Sequence, residues 1–273
     1  MSQYSSSEIS EKNVAFWDTL CGTGLAEQLQ ITDDSLESLK KYDDFYFDFY
    51  PYLLKRIDLE LMRNKDVFEV GLGYGSLGQE LAKVAKNYIG MDIAAGPVEM
   101  MNHRLSLNQL SGRAQQGNML HCFMPDNSVD AVVSIGCFHH TGDLVRCFQE
   151  AYRILRPGGI LKAMVYNQYS FRRFKNQPFQ ILKEMLIKKQ NPLSASEAER
   201  KMYDTLKDEG APETVFISCK NLKHILNPFE KVKLKKENAD PLFSFSRSLL
   251  LKTIGPLWGL DIYISAQKPF KDK

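Results

Sequence analysis

Apolar runs long enough to cross a membrane are missing from this chain. No stretch approaches 18 uninterrupted apolar residues, so no transmembrane helix or stable membrane insertion is expected. A strong charge of either sign is missing too. The net charge is only +2, which leaves no global field to draw the protein toward nucleic acid, and no nucleic-acid partner is expected. The first residues, Met1-Ser-Gln-Tyr-Ser-Ser-Ser-Glu8, have neither a basic start nor an apolar segment, and they do not read as a signal peptide. Cysteine is sparse and unpatterned. Cys21, Cys122, Cys137, Cys147 and Cys219 are odd in number and show no C-x-x-C spacing. That pattern favours reduced thiols in a cytoplasmic protein and argues against a metal site. Internal repeats are absent. The remainder is ordinary: 273 residues, 44% hydrophobic and 25% charged, suit one compact domain carrying an insertion.

What the chain does have is concentrated in Val67-Phe-Glu-Val-Gly-Leu-Gly-Tyr-Gly-Ser76, an apolar strand running into a three-glycine turn. A second short apolar run, Asn87-Tyr-Ile-Gly-Met-Asp92, ends in a carboxylate 17 residues after Gly75. Strand, glycine turn, helix and acid-ended strand describe half of a nucleotide-binding α/β sheet. Glycines let backbone approach a ligand that a Cβ would exclude, and the acid can accept from both ribose hydroxyls. A dinucleotide fingerprint needs G-x-G-x-x-G. Here the glycines are 71, 73 and 75 and position 76 is Ser, which opposes a nicotinamide oxidoreductase. A surface turn that binds nothing is the bland alternative.

Further along, the pattern predicts a strand at 66–70, a helix near 76–86, a strand at 87–91, a helix from Ala95 to about Ser111 and a short strand at 113–116. Val129–Ile135 reads as a buried fourth strand, introduced by the turn Met124-Pro-Asp-Asn-Ser128. Leu144, Phe148, Ala151 and Leu155 have helical spacing, and Arg156-Pro-Gly-Gly159 should stop that helix before strand five, Ile160–Val165. Phe229–Lys235 and Leu260–Ala266 alternate with period two, with a helical stretch over 241–258 between them. Alternating β and α units of this length imply a parallel sheet covered on both faces.

The E-x-G-x-G-x-G turn, with Glu69 two residues ahead of Gly71, resembles motif I of the class I S-adenosylmethionine (SAM) methyltransferases. Gly117-Asn-Met119, Val133-Ser-Ile-Gly-Cys-Phe-His-His-Thr141 and Leu155-Arg-Pro-Gly-Gly159 are similar to later motifs of the ubiquinone/menaquinone-type small-molecule methyltransferases. The resemblance covers residues 60–166 motif by motif and 215–268 more loosely. It implies a seven-stranded, mostly parallel Rossmann-like sheet with helices on both faces, the seventh strand antiparallel beside the fifth. It also implies an N-terminal helical cap over 1–60, a SAM-binding core over 61–167, a helical acceptor-cap insertion over 168–213 and the rest of the core over 214–273.

By the same resemblance, Gly71, Gly73 and Gly75 lie under the methionine and ribose of SAM, and Glu69 holds the amino end. Asp92 takes the ribose hydroxyls, Ile93 packs on the adenine, and Gly136 sits on the rim. Asn118 stands where many relatives have Asp, so it can accept from the adenine amine only without charge assistance; Met119 stacks beside it. A helix cap for Asp92, an ion pair for Glu69 and core packing for Met119 are the competing structural roles. His139 and His140 follow strand four. One is expected to face the cleft as a general base, with His139 near Tyr166 and Asn167 the choice, while His140 packs. The N-P-P-Y, D-P-P-Y and Pro-Cys signatures of nucleobase methylation are absent, which disfavours an RNA substrate, the nearest rival.

Acceptor choice should reside in the appended parts. Tyr42–Tyr52 carries seven aromatics in eleven residues, with Tyr46 and Tyr50 the candidate wall of an acceptor pocket, joined by Tyr166 and Tyr169 at the end of strand five. Charge is uneven here. Residues 1–50 carry a net −7 (ten acids, three lysines), and residues 168–190 a net +5 (six bases, one acid). Ser170–Lys189 could therefore hold an anionic acceptor, lie on a membrane, or be a solvated basic helix. The expected function is SAM-dependent methylation of an oxygen, nitrogen or carbon of a small metabolite, giving S-adenosylhomocysteine without a metal. A SAM-binding protein with no transferase activity stays as the alternative from another class, and a homodimer is open.

Overall fold

The computed structural model describes residues 6–20, 23–187, 192–206, 208–242 and 244–270, so Cys21, Lys188 and Lys189 lie outside the described residues. Among the described residues five helices precede the sheet: α1 (Ser6–Leu20), α2 (Thr23–Gln28), α3 (Leu36–Phe49), α4 (Leu53–Ile57) and α5 (Leu59–Met62). Then come β1 (Asp66–Val70), α6 (Ser76–Val84), β2 (Asn87–Asp92), α7 (Ala95–Leu107), β3 (Arg113–Gln116), β4 (Val129–Ile135), α8 (Leu144–Ile154) and β5 (Leu155–Tyr166). The segment after β5 holds α9 (Phe171–Asn176), α10 (Pro178–Ile187), β6 (Leu193–Ser194), α11 (Glu197–Lys201), β7 (Thr205–Leu206), β8 (Glu209–Gly210) and β9 (Val215–Phe216). The chain closes with α12 (Cys219–Ile225), β10 (Glu230–Glu237), α13 (Arg247–Trp258) and β11 (Asp261–Gln267).

Seven strands make one sheet in the order β10-β11-β5-β4-β1-β2-β3. The pairs from β5 to β3 are parallel, and β11 runs antiparallel between β5 and β10, as expected for a late strand inserted beside the fifth. Successive residues of β1 serve opposite faces. Phe68 and Val70 join one core cluster with Val132, Phe148 and Ile262, while Val67 joins the other with Leu81, Ala131 and Tyr263. Strands buried on both faces are why these segments read as unbroken apolar runs. The order reverses between β4 and β2 across β1, and the carboxyl ends of β1 and β4 form the crevice where open α/β sheets take ligands.

Two local findings differ from the sequence expectation. Arg156-Pro-Gly-Gly159 is not a loop between helix and strand. It is a bulge inside β5, whose register with β4 shifts between Val129↔Leu155 and Ala131↔Ile160. Arg156 fixes it by donating to Asp66 and Asp130, each at 2.8 Å. The insertion is only partly helical: β6 pairs with β9, and Asn167 bridges to Ile217, sewing it to the end of β5. Ser170 and Ser196 cap α9 and α11, the latter with a full capping box to Glu199. The basic excess of the segment is also partly internal. Arg172 pairs with Asp240, and the buried Arg173 pairs with Glu184 and Glu199.

The aromatic segment forms α3, as its spacing suggests. Arg104 of α7, fully buried, holds it with a two-pronged ion pair to Asp43 at 2.9 and 3.0 Å. Removing one partner of such a buried pair costs about 3–5 kcal/mol, because the other charge is left without compensation.

Candidate active site

The glycine turn leaves β1 and enters α6 between the ends of β2 and β4. Gly71 and Gly73 both have left-handed backbone, φ +83° and +53°. A Cβ on Gly71 would lie 2.4 Å from Cys137 Cβ, whereas one on Gly73 would meet nothing within 4 Å and would project into open space. Gly75 faces Arg104 instead and lines neither of the two cavities described next.

A cleft of about 870 Å³ opens on this turn. Its lining gathers Gly71, Gly73, Asp92, Ile93, Asn118, Met119, Gly136 and His140, eight of the residues singled out from the sequence. Its mostly apolar lining with a few polar groups suits a small-molecule ligand. Asp92 Oδ2 accepts from Leu72 N at 2.7 Å and Oδ1 from Ala94 N at 3.0 Å, so the acid ties the glycine turn to the start of the next loop while facing the cleft. Burial raises its pKa against the opposing pull of these backbone bonds. Asn118 Oδ1 accepts from Leu120 N, which caps a short 3-10 turn at Met119–His121, and its amide donates to Ser10 Oγ at 3.0 Å.

A second cavity, of about 730 Å³, lies on the other side of the turn and shares Trp17, Gly71, Gly73 and Ile135 with the first. It is lined further by Tyr42, Tyr46, Glu69, Leu72, Tyr74, Ser76, Leu77 and Asp204. Glu69 is buried and accepts from the Tyr88 hydroxyl. Burial pushes its pKa up to about 8; the Tyr88 bond works against that shift and Asp92 adds to it.

The two histidines take the opposite places to those expected. Both sit in the 3-10 turn Phe138–His140, where neighbouring side chains diverge. His139 is fully buried with no hydrogen-bond partner for either ring nitrogen among the described residues, and it lines neither cavity. Its ring packs against His140 and Tyr166, at centroid distances of 4.2 and 4.1 Å, and burial holds its pKa well below the usual imidazole value. His140 reaches the cleft. Its Nδ1 lies 2.8 Å from the Glu213 carbonyl, which can only accept, so Nδ1 carries the hydrogen and Nε2 is left as the basic nitrogen. Nε2 lies 3.5 Å from Asp204, whose carboxylate accepts from the Tyr166 hydroxyl at 2.9 Å.

Of the remaining expected residues, Tyr46 reaches the second cavity. Tyr50, Tyr166, Tyr169 and Asn167 line neither. Asn167 is held in structural bonds, donating to Gly259 O at 2.7 Å and accepting from Tyr169 N at 3.1 Å. Tyr50 packs edge-on against Tyr46 and Tyr52. Sequence reasoning missed Ser10, Asn13 and Trp17, which stand on one face of α1 and cover the first cleft. Asn13 donates to His140 O at 2.8 Å, and Asp18 accepts from Gly96 N at 2.6 Å, latching α1 across the site. It also missed Asp204, 64 residues after His140 in the chain.

A family model for a methyltransferase domain matches residues 68–163. A probable SAM-dependent methyltransferase of Mycolicibacterium smegmatis is 31% identical over 114 residues, 42% of this chain and 43% of that protein. A sterol 24-C-methyltransferase of Neurospora crassa is 32% identical over 111 residues, 40% of this chain and 29% of that protein. The chain thus spans less than half the length of these curated relatives. Among solved structures, a chain of the complex between the Haloferax volcanii Trm112 methyltransferase activator and its methyltransferase superposes with a TM-score of 0.60 at 15% identity. That match covers 93% of this chain and 97% of the other, a likeness of fold alone. Residues 68–163 thus match a methyltransferase domain, and they lie within a seven-stranded sheet that carries an inserted antiparallel strand.

Proposed function

We propose that the chain transfers the methyl group of SAM to an oxygen, nitrogen or carbon nucleophile of a small metabolite, using His140 to take a proton where the nucleophile carries one. The observation that carries this reading is the meeting of two cavities at the glycine turn, where both are lined by Trp17, Gly71, Gly73 and Ile135. A donor seated in the first, with its amino end reaching Glu69 in the second, would present its methyl to an acceptor there.

The residues fit SAM. The open space over Gly73 is a cradle that any side chain would fill. Asp92 faces the cleft with lone pairs left over from its two backbone bonds, enough for ribose hydroxyls. Ile93 and Met119 offer apolar surface to adenine, and Glu69 offers a carboxyl to the amino end. SAM supplies an activated methyl on a sulfonium, so the protein's task is alignment and exclusion of water. The Glu213 carbonyl orients the His140 ring, and Asp204 would stabilise the imidazolium once the proton has moved to Nε2.

The acceptor side draws on both appended parts. Trp17, Tyr42 and Tyr46 come from residues 1–60 and Asp204 from 168–213, which supports the division into cap, core, insertion and terminal part. Such a wall favours an acceptor with an apolar or aromatic body and one reactive polar group. The test is mass spectrometry of candidate metabolites after incubation with SAM. A +14 Da product, lost in His140→Ala, is the expected result; SAM binding with no methylated product across the panel would sink the reading.

A further inference from the structure

Helix α10 has its polarity reversed for a helix that faces water. Its inward positions carry Ile181, fully buried, and Glu184, whose carboxylate accepts from Arg173 at 2.9 and 3.0 Å and from Gln168 at 3.1 Å. Its outward positions carry Phe179, 86% exposed, and Leu186, 83% exposed, with Leu182 and Met185 about half exposed. At 3.6 residues per turn, Phe179, Leu182 and Leu186 fall on one side with Lys183 beside them. The helix leading into α10 adds Phe174, whose ring stacks on Trp258 of α13 at a centroid distance of 6.0 Å, both rings remaining substantially exposed. Rolling α10 to hide its apolar side would take Glu184 from Arg173 and leave that buried guanidinium with Glu199 as its one carboxylate among the described residues. The outward apolar face is therefore locked in place.

Charge identifies what covers it. The acid of α10 is turned inward, and Arg172 and Arg173 are neutralised by Asp240, Glu184 and Glu199. Lys175 and Lys183 are exposed, and neither meets a carboxylate among the described residues. The face thus combines exposed Phe, Leu, Met and Trp with charge of one sign. A second copy of the same face would bring like charges together, whereas a negatively charged lipid surface would complement them. No helix among the described residues is long and apolar enough to cross a membrane, so attachment would be at the surface. We propose that the α10 face, flanked by Phe174 and Trp258, docks on an anionic bilayer, its apolar side chains entering the headgroup boundary and its lysines meeting lipid phosphates.

The test is co-sedimentation of the full chain with phosphatidylcholine vesicles, with and without phosphatidylserine. Binding is expected with phosphatidylserine and should weaken as salt rises. Phe179→Ser combined with Leu186→Ser should weaken it at least about tenfold. Lys175→Gln and Lys183→Gln should each weaken it about fivefold. The melting temperature should stay unchanged in all of them, because these side chains already face solvent. Equal sedimentation of the double variant, or no gain from phosphatidylserine, overturns the proposal. So does a concentration-dependent dimer that the double variant abolishes, which would assign the face to a second copy.

Discussion

Asp92 and Leu72 are joined by a 2.7 Å hydrogen bond from the amide in the middle of the glycine turn to the carboxylate at the end of β2. The acid therefore shapes the turn as well as facing the cleft. Replacing Asp92 by Ala removes that bond, the one to Ala94 and the acceptor proposed for two ribose hydroxyls. SAM affinity should fall by about 1.5–3 kcal/mol, measured by calorimetry. Unchanged affinity would mean that the carboxylate serves the turn alone.

Gly73 and Gly71 should fail differently. Gly73→Val should abolish SAM binding in a protein that still folds, since the new side chain enters open space and the left-handed backbone costs only about 1–2 kcal/mol. Gly71→Val should lower the melting temperature more sharply, because its Cβ would collide with Cys137. Melting curves with and without SAM separate the two. A Gly73→Val protein stabilised by SAM as well as the parent would contradict the placement of the ligand.

Among the histidines, His140→Ala should lower kcat about 10²–10⁴-fold with SAM affinity nearly unchanged. His139→Leu fills the same buried space without two unpartnered nitrogens and should keep turnover within a few fold. If both variants turn over at the parental rate, alignment alone drives transfer.

Glu69 should make SAM binding pH-dependent. With its pKa at about 8, the free protein holds this carboxyl protonated at neutral pH. An ammonium beside it favours the carboxylate, so SAM binding should release a proton. Affinity should then rise with pH up to about 8, at most tenfold per unit, and level off above. In the free protein the sign is opposite for folding: the group's contribution is full below the ordinary carboxylate range and is lost as pH rises through about 8. Binding heats measured near neutral pH in two buffers of different ionisation enthalpy report the proton directly. Heats independent of buffer, or a pH slope surviving in Glu69→Gln, would refute the linkage.

The sheet was legible because its strands are buried on both faces and its glycine turn has a spacing set by geometry. The bulge at Arg156–Gly159 was not, since proline and glycine read locally as a stop, and the ion pairs of Arg156 to Asp66 and Asp130 are tertiary. The first cleft's lining was legible where backbone geometry dictates residue type, as at Gly71, Gly73 and Asp92. It was not legible on α1. There the covering face mixes Ser10, Asn13 and Trp17, and no apolar period marks it. His139 and His140 could not be told apart because adjacent positions of a single 3-10 turn carry no periodic signal. Asp204 enters the site only through the fold of the insertion.

The antiparallel β11 has a consequence for how the protein is made. The edge of β5 toward β11 finds its partner in a segment about 95 residues further along the chain, Tyr166 pairing with Asp261. At ribosomal rates of about 5–20 residues per second, that edge of the nascent sheet waits roughly 5–20 s without its partner. For that interval the newborn chain presents a long row of unsatisfied backbone groups to the cell, the state in which strand edges recruit one another. Among the described strands, β11 is thus the one that covers this edge of β5.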